Sequence, residues 1–145
     1  DGVIVSNGLN GKLSEVHSAY GIEVLKEYST LREKRKVVFS LYQELIGETP
    51  EFEFMSRNIF DGWNYCYLPL LFNSETKLIR FEEKLRNKNV GTRRYFETSL
   101  NTLSFFSDKS RSCEISESIC KRIICVPLHH DVKMKTINTI REALL

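Results

Sequence analysis

The chain has 145 residues, 41% apolar and 28% charged, with a formal net charge of +2. That is one domain's worth of chain, long enough to bury a real core, with an ordinary soluble composition. So small a net charge excludes a global pull toward nucleic acid or a membrane surface. The longest apolar run, Cys66 to Phe72, is far too short to span a bilayer, and the opening residues form no signal-peptide pattern. The first residue is Asp rather than Met, which fits a cut piece or a processed product.

The four cysteines (Cys66, Cys113, Cys120, Cys125) form no C-x-x-C pair. Free thiols in a reducing, cytoplasmic setting are therefore expected. Cys120, Cys125, His129 and His130 match no standard zinc spacing, so no metal ligands are assigned.

Taken in order, residues 1–5 read as an extended entry. A turn follows, Gly8-Leu9-Asn10-Gly11-Lys12, and then a helix over Leu13–Leu25 with Ser14 near its start. Glycines beside an Asn amide at a helix start suit an anion, although most such turns are only turns. Thr30-Leu31-Arg32-Glu33 has the form of a capping box. It predicts a second helix running through Leu45, with Leu31, Val38, Leu41, Tyr42 and Leu45 on one stripe, closed by Gly47 and Pro50. The bases of Arg32–Lys36 read as a solvated face.

Glu51–Met55 alternates as a half-exposed strand. Trp63–Phe72 is apolar on both faces and predicts a covered strand, with Pro69 marking an edge or an end. A helix from Asn73-Ser74 to about Arg86 buries Leu78, Phe81 and Leu85, and Lys88–Gly91 is a turn. After a polar loop at 104–112 come a short helix near Ile115–Cys120, a strand over Arg122–Pro127, and a last helix from about Asp131. That helix is expected to carry Met134, Ile137, Ile140 and Leu144 inward. The fold class is α+β: a small antiparallel or mixed sheet of about three strands backed by helices, plus a protruding N-terminal helix pair.

Three stretches carry a resemblance. Gly8-Leu9-Asn10-Gly11-Lys12-Leu13-Ser14-Glu15 is similar to the G-Y-N-x-R-M-S-E segment of the DegT/DnrJ/EryC1/StrS aminotransferases. Gly91-Thr92-Arg93-Arg94-Tyr95-Phe96 and Cys125-Val126-Pro127-Leu128-His129-His130-Asp131 resemble that family's R-R-Y-F and L-P-L-x-x-D-L landmarks, in the same order. These are fold-type I enzymes that use pyridoxal phosphate to place an amino group on nucleotide-linked keto-sugars. The resemblance covers nearly the whole chain but only the C-terminal part of the family's chain. It implies the small C-terminal domain of such an enzyme, with residues 1–29 linking to a large domain upstream and 30–145 forming the small domain.

The resemblance also implies roles. Asn10 matches the Asn that reaches across a homodimer interface to the cofactor phosphate of the neighbouring subunit, where an amide donates without adding charge. Lys12 stands where the family has an Arg facing anionic groups, and supplies a point charge instead of a fork. Arg94 and Tyr95 fall where the family places a base and a phenol near the sugar nucleotide. A surface ion pair plus a packed aromatic is an equally good reading of the same two residues.

No catalytic residue is assigned. The lysine that binds the cofactor and the acid against its ring nitrogen lie upstream in the family, so the chain alone is expected to be inert. The implied reaction is ping-pong transamination from glutamate to a keto-deoxysugar on dTDP, the amino-sugar serving surface polysaccharide. Two other classes stay open at this point. One is a helical dimerisation module without enzymatic activity. The other is a nucleic-acid binder using Arg32–Lys36 and Arg93-Arg94, which the mixed charge disfavours. Apolar surface is expected to lie exposed on the Leu13–Leu25 helix, with self-association or disorder of residues 1–12.

Overall fold

The computed structural model describes residues 11, 13–47, 50–54, 62–104, 106 and 111–145. Asn10, Lys12, the entry at 1–5 and most of the glycine turn lie outside the described residues.

The chain opens with a single 32-residue helix, α1 (Glu15–Ile46). Ser14 caps it by accepting from the backbone N–H of His17 at 3.3 Å. The expected helix pair is thus one helix, which corrects the break predicted at Thr30. A capping box acts only where the residue before the helix has left helical geometry. Residues 22–46 contain neither Gly nor Pro to force that departure. The ion pair Lys26–Glu23 (2.6 Å) lies within the stretch, and Arg32 Nε donates to the Trp63 carbonyl at 2.9 Å. Gly47, with φ 63°, ends α1, and its N–H bonds the Gln43 carbonyl.

Only the second half of α1 enters the core, through Val38, Phe39 and Tyr42. The first half presents an exposed apolar stripe, with Val16 78% and Tyr20 72% accessible.

The sheet is three-stranded, antiparallel and ordered β1 (Phe52–Phe54), β2 (Leu68–Phe72), β3 (Ile123–Val126). Register puts Phe52, Phe54, Leu68, Leu70, Phe72, Ile124 and Val126 on one face, all of them in the hydrophobic core. Against this face pack α1, α2 (Glu75–Asn87) and α4 (Met134–Leu144). Ser74 caps α2, whose buried residues are Leu78, Phe81 and Leu85, as the periodicity predicts. On α4 the buried positions are Ile137, Ile140 and Ala143; Met134 is exposed and Leu144 only partly covered, so the inward face is rotated from the one expected. Lys84 Nζ reaches the Ala143 carbonyl at 3.0 Å, a cation at the C-terminal end of α4.

The strand expected over Trp63–Phe72 is regular only from Leu68, and it lies in the centre of the sheet, not at an edge. Pro69 is tolerated there for a geometric reason. It faces Cys125, whose N–H and C=O both bond Arg93 on the far side of β3. Pro69 and Cys125 are therefore a non-hydrogen-bonded pair, and the missing N–H points toward β1, one position beyond the last β1 pair, Phe54–Leu70. Ahead of the strand, Trp63, Tyr65 and Phe39 form an aromatic cluster, with the Phe39 and Trp63 centroids 5.1 Å apart.

Tyr42 is wholly buried, and its hydroxyl donates to the Pro127 carbonyl at 2.9 Å. Burial raises its pKa, so the phenol stays protonated as that bond requires.

If α1 enters the core only through its second half, Phe39→Ala should cost about 3–5 kcal/mol in urea unfolding. Val16→Ser on the exposed stripe should change stability by no more than about 0.5 kcal/mol. Comparable losses at both positions would place the first half of α1 in the core.

Candidate functional site

Among the described residues, the edge of β3 and the C-terminal half of α2 border an open groove of about 990 Å³. It exists because the chain returns to the sheet after α2. A turn at Lys88–Asn89, with Asn89 at φ 57°, redirects the backbone. Arg93 then pairs with Cys125, its N–H donating to the Cys125 carbonyl at 3.0 Å and its carbonyl accepting from Cys125 N–H at 2.7 Å. Residues directly opposite in a ladder share a face. Arg93, Cys125 and Pro69 thus lie in one row on the side away from the core.

After this one pair the chain leaves the edge as Arg94-Tyr95-Phe96-Glu97. Arg94 lines the groove, but its guanidinium turns back into the protein and is only 11% exposed. It bonds Glu97 Oε1 at 3.0 Å, the Lys121 carbonyl at 2.9 Å and the Cys120 carbonyl at 3.3 Å. The last two acceptors end α3 (Glu114–Cys120), where orphan carbonyls and the helix dipole favour a cation. Its buried Nε has no partner among the described residues. The sequence reading puts Arg94 near a sugar nucleotide; in this geometry its guanidinium is bonded to Glu97 and two main-chain carbonyls.

Tyr95 does stand at the groove. Its ring packs edge-on to Tyr67, centroids 4.8 Å apart, and next to Phe96 at 5.5 Å. Tyr67 titrates above the ordinary phenol range, first because of the neighbouring Cys66 thiol and then because of Tyr95. It is consequently a neutral hydroxyl that can donate and accept. Cys125 is held in its thiol form, its pKa pushed up to about 11 by burial, and is no nucleophile.

A polar network anchors the far end of the segment to α3. Ser99 Oγ meets Asn101 Oδ1 at 2.5 Å and Ser116 Oγ at 2.8 Å. Asn101 Nδ2 donates to Glu117 Oε1 at 2.6 Å, and the same oxygen accepts from Cys113 N–H at 2.8 Å. These bonds, the Cys113 N–H foremost and Asn101 next, hold the Glu117 carboxyl below its ordinary value of 4.5.

Among the described residues no lysine lines the groove, so they do not by themselves fit the reactive end of an aldehyde cofactor such as pyridoxal phosphate. The phenols, guanidinium groups and carboxylates of its lining can donate and accept hydrogen bonds. Asn10 and Lys12 fall outside the described residues. No three His, Cys, Asp or Glu side chains among the described residues converge as metal ligands. No helix among them is long and apolar enough to cross a membrane.

Residues 3–145 match the model of the DegT/DnrJ/EryC1/StrS aminotransferase family. The chain belongs to that family. A curated relative is the dTDP-4-amino-4,6-dideoxy-D-glucose transaminase of Escherichia coli, 28% identical over 98% of this chain and 40% of the relative. The protein of the same description from Shigella dysenteriae is 27% identical over 93% of this chain and 39% of its own. The chain thus spans about two-fifths of the length of these relatives. Two solved structures share the fold. Helicobacter pylori PseC, an aminotransferase of pseudoaminic acid biosynthesis, superposes with TM-score 0.79 and 19% identity, over 99% of this chain and 40% of its own. DesI, solved in the presence of its TDP-sugar product, gives TM-score 0.80 and 20% identity over 94% of this chain and 36% of its own. Membership accounts for the small α+β unit: these are fold-type I sugar aminotransferases, and the resemblance read from Gly8–Glu15, Gly91–Phe96 and Cys125–Asp131 is borne out.

Sequence reasoning missed Tyr67, which sits in a run that reads as strand core, and Arg93, which pattern alone does not separate from Arg94. The register against Cys125 is what distinguishes the two arginines.

Because the Glu117 pKa is depressed on folding, its contribution is complete above the ordinary carboxylate value. It is lost as pH falls through the lower, folded value. Backbone amide NMR should show Ser99, Asn101 and Cys113 shifting together below pH ~4.5, and Glu117→Gln should abolish that coupled acid transition. Independent titration of the three amides would show that the network does not act as one clamp.

Proposed function

We propose that this chain is the C-terminal, substrate-framing part of a pyridoxal phosphate-dependent transaminase that moves an amino group from glutamate to a keto-deoxysugar on dTDP. Family membership carries the reading, and the phenol-lined groove beside β3 supports it. Pyridoxal phosphate, when bound to such an enzyme, supplies the aldehyde that carries the amino group between donor and acceptor.

The chain's own part is binding and orientation. Asn10 donates its amide to the cofactor phosphate of a neighbouring subunit in a homodimer, and Lys12 faces an anionic group nearby. Tyr95, braced by Tyr67, offers a hydroxyl to a sugar oxygen. Arg94, assigned to the substrate from the motif, acts on it through the segment it anchors. On this reading the isolated chain is inert and the activity belongs to a longer, cytoplasmic protein. Such a protein would feed amino-sugars to surface polysaccharide.

The exposed stripe on the first half of α1 fits this arrangement, since a helix meant for solvent does not need Val16, Tyr20 and Leu25 uncovered together.

The protein that carries this chain should form an amino-sugar nucleotide from dTDP-4-keto-6-deoxyglucose and glutamate, whereas residues 1–145 alone should form none. Asn10→Ala should weaken cofactor retention about tenfold, read by dialysis and absorbance of the bound cofactor. Unchanged retention would remove Asn10 from the phosphate and favour a dimerisation module. Product from the isolated chain would overturn the division of labour.

A further inference from the structure

Three arginines border the groove (Arg86, Arg93 and Arg94), and the structure separates them by what each guanidinium already holds. Arg94 is bonded to Glu97, Cys120 and Lys121. Arg93 and Arg86 are exposed, and neither makes a side-chain hydrogen bond or ion pair with any described residue. Arg93 is fixed at its root by the double backbone bond to Cys125, on the sheet face away from the core. Arg86 lies in the last turn of α2, where a C-terminal cation is favoured. Of the acids at the groove, Glu97 is committed to Arg94, and Glu82, one turn before Arg86, lies outside ion-pair distance of it. A groove with two uncommitted guanidinium groups and two phenols has the chemistry of a site for an anion attached to a hydroxylated body.

We propose that Arg93, assisted by Arg86, is the anion-recognising side chain of this groove and takes the diphosphate of a nucleotide-sugar. Arg94 is a positioning residue that holds Tyr95 in place by joining Glu97 to the end of α3. The inference rests on the sugar-nucleotide reading above and assigns its charge recognition to residues the motif comparison did not single out. An exposed guanidinium keeps its fork for two phosphate oxygens. A guanidinium already bonded to two main-chain carbonyls would have to abandon them, leaving those carbonyls without their partner.

The test uses the full-length protein that carries this chain, with dTDP-4-keto-6-deoxyglucose and glutamate as substrates. Arg93→Gln should raise KM for the nucleotide-sugar roughly tenfold or more, with a much smaller loss in kcat. It should also flatten the rise of KM with salt, because the screened charge is gone. Arg86→Gln should do the same more weakly. Arg94→Gln should lower kcat and thermal stability while KM keeps its salt dependence, and Arg94→Lys should restore little, because a point charge cannot reach Glu97 and two carbonyls together. An unchanged KM in Arg93→Gln, or a salt-independent KM in Arg94→Gln, would overturn the assignment while leaving the transaminase reading intact.

Should the wild-type protein show no transaminase activity, that reading fails separately, and inorganic pyrophosphate then tests the site on the 145-residue chain by NMR. Shifts centred on the Arg93 and Arg86 side-chain N–H signals, absent in Arg93→Gln, support the anion site. Shifts centred on Arg94, or none at all, overturn it.

Discussion

The groove depends on one pair of backbone hydrogen bonds, those between Arg93 and Cys125. Each is worth about 0.5–1.5 kcal/mol net, too little to order a long segment by itself. Their importance is geometric. They cap part of the otherwise open edge of β3 and set which of two adjacent arginines shares a face with Cys125. The following residue must leave the ladder, and its guanidinium finds the carbonyls at the end of α3. Ser99, Asn101 and Glu117 then anchor the same segment farther along. The loop is fixed at three places, and the aromatic pair Tyr67–Tyr95 stands between them.

The two faces of the sheet divide the work. One face is committed to helices: α1, α2 and α4 bury Tyr42, Leu78 and Ile140 against Leu68, Leu70 and Ile124. Ion pairing and a helix-terminal cation, Lys88–Glu142 at 2.8 Å and Lys84 on the Ala143 carbonyl, join α2 to α4 on the rim. The other face carries Pro69, Cys125 and Arg93, of which Cys125 and Arg93 line the groove. Cys125, neutral and buried, contributes shape without reactivity.

Much of this was legible in the residues. The α+β class, the small sheet and the bounds of α2 follow from Ser74 and the spacing of Leu78, Phe81 and Leu85. Family landmarks near Gly11, Arg94 and Pro127 pointed to the fold. Three readings could not be made locally. The break at Thr30 needed a departure from helical backbone that nothing in residues 22–46 compels. Pro69 in a central strand depended on knowing that its pair with Cys125 is not hydrogen-bonded. The roles of Arg93 and Arg94 are set by register and by the location of α3 some 25 residues downstream, and adjacency in sequence hides both.

The central proposal is that a nucleotide-sugar occupies the groove beside β3, against the segment that Arg93 attaches to it. Hydrogen–deuterium exchange of the full-length protein, with and without a dTDP-amino-sugar product, tests it most directly. The account expects slowed exchange over residues 91–97 and 66–67, with α4 unchanged. Protection confined to α2 and α4, or none along 91–97, would contradict it.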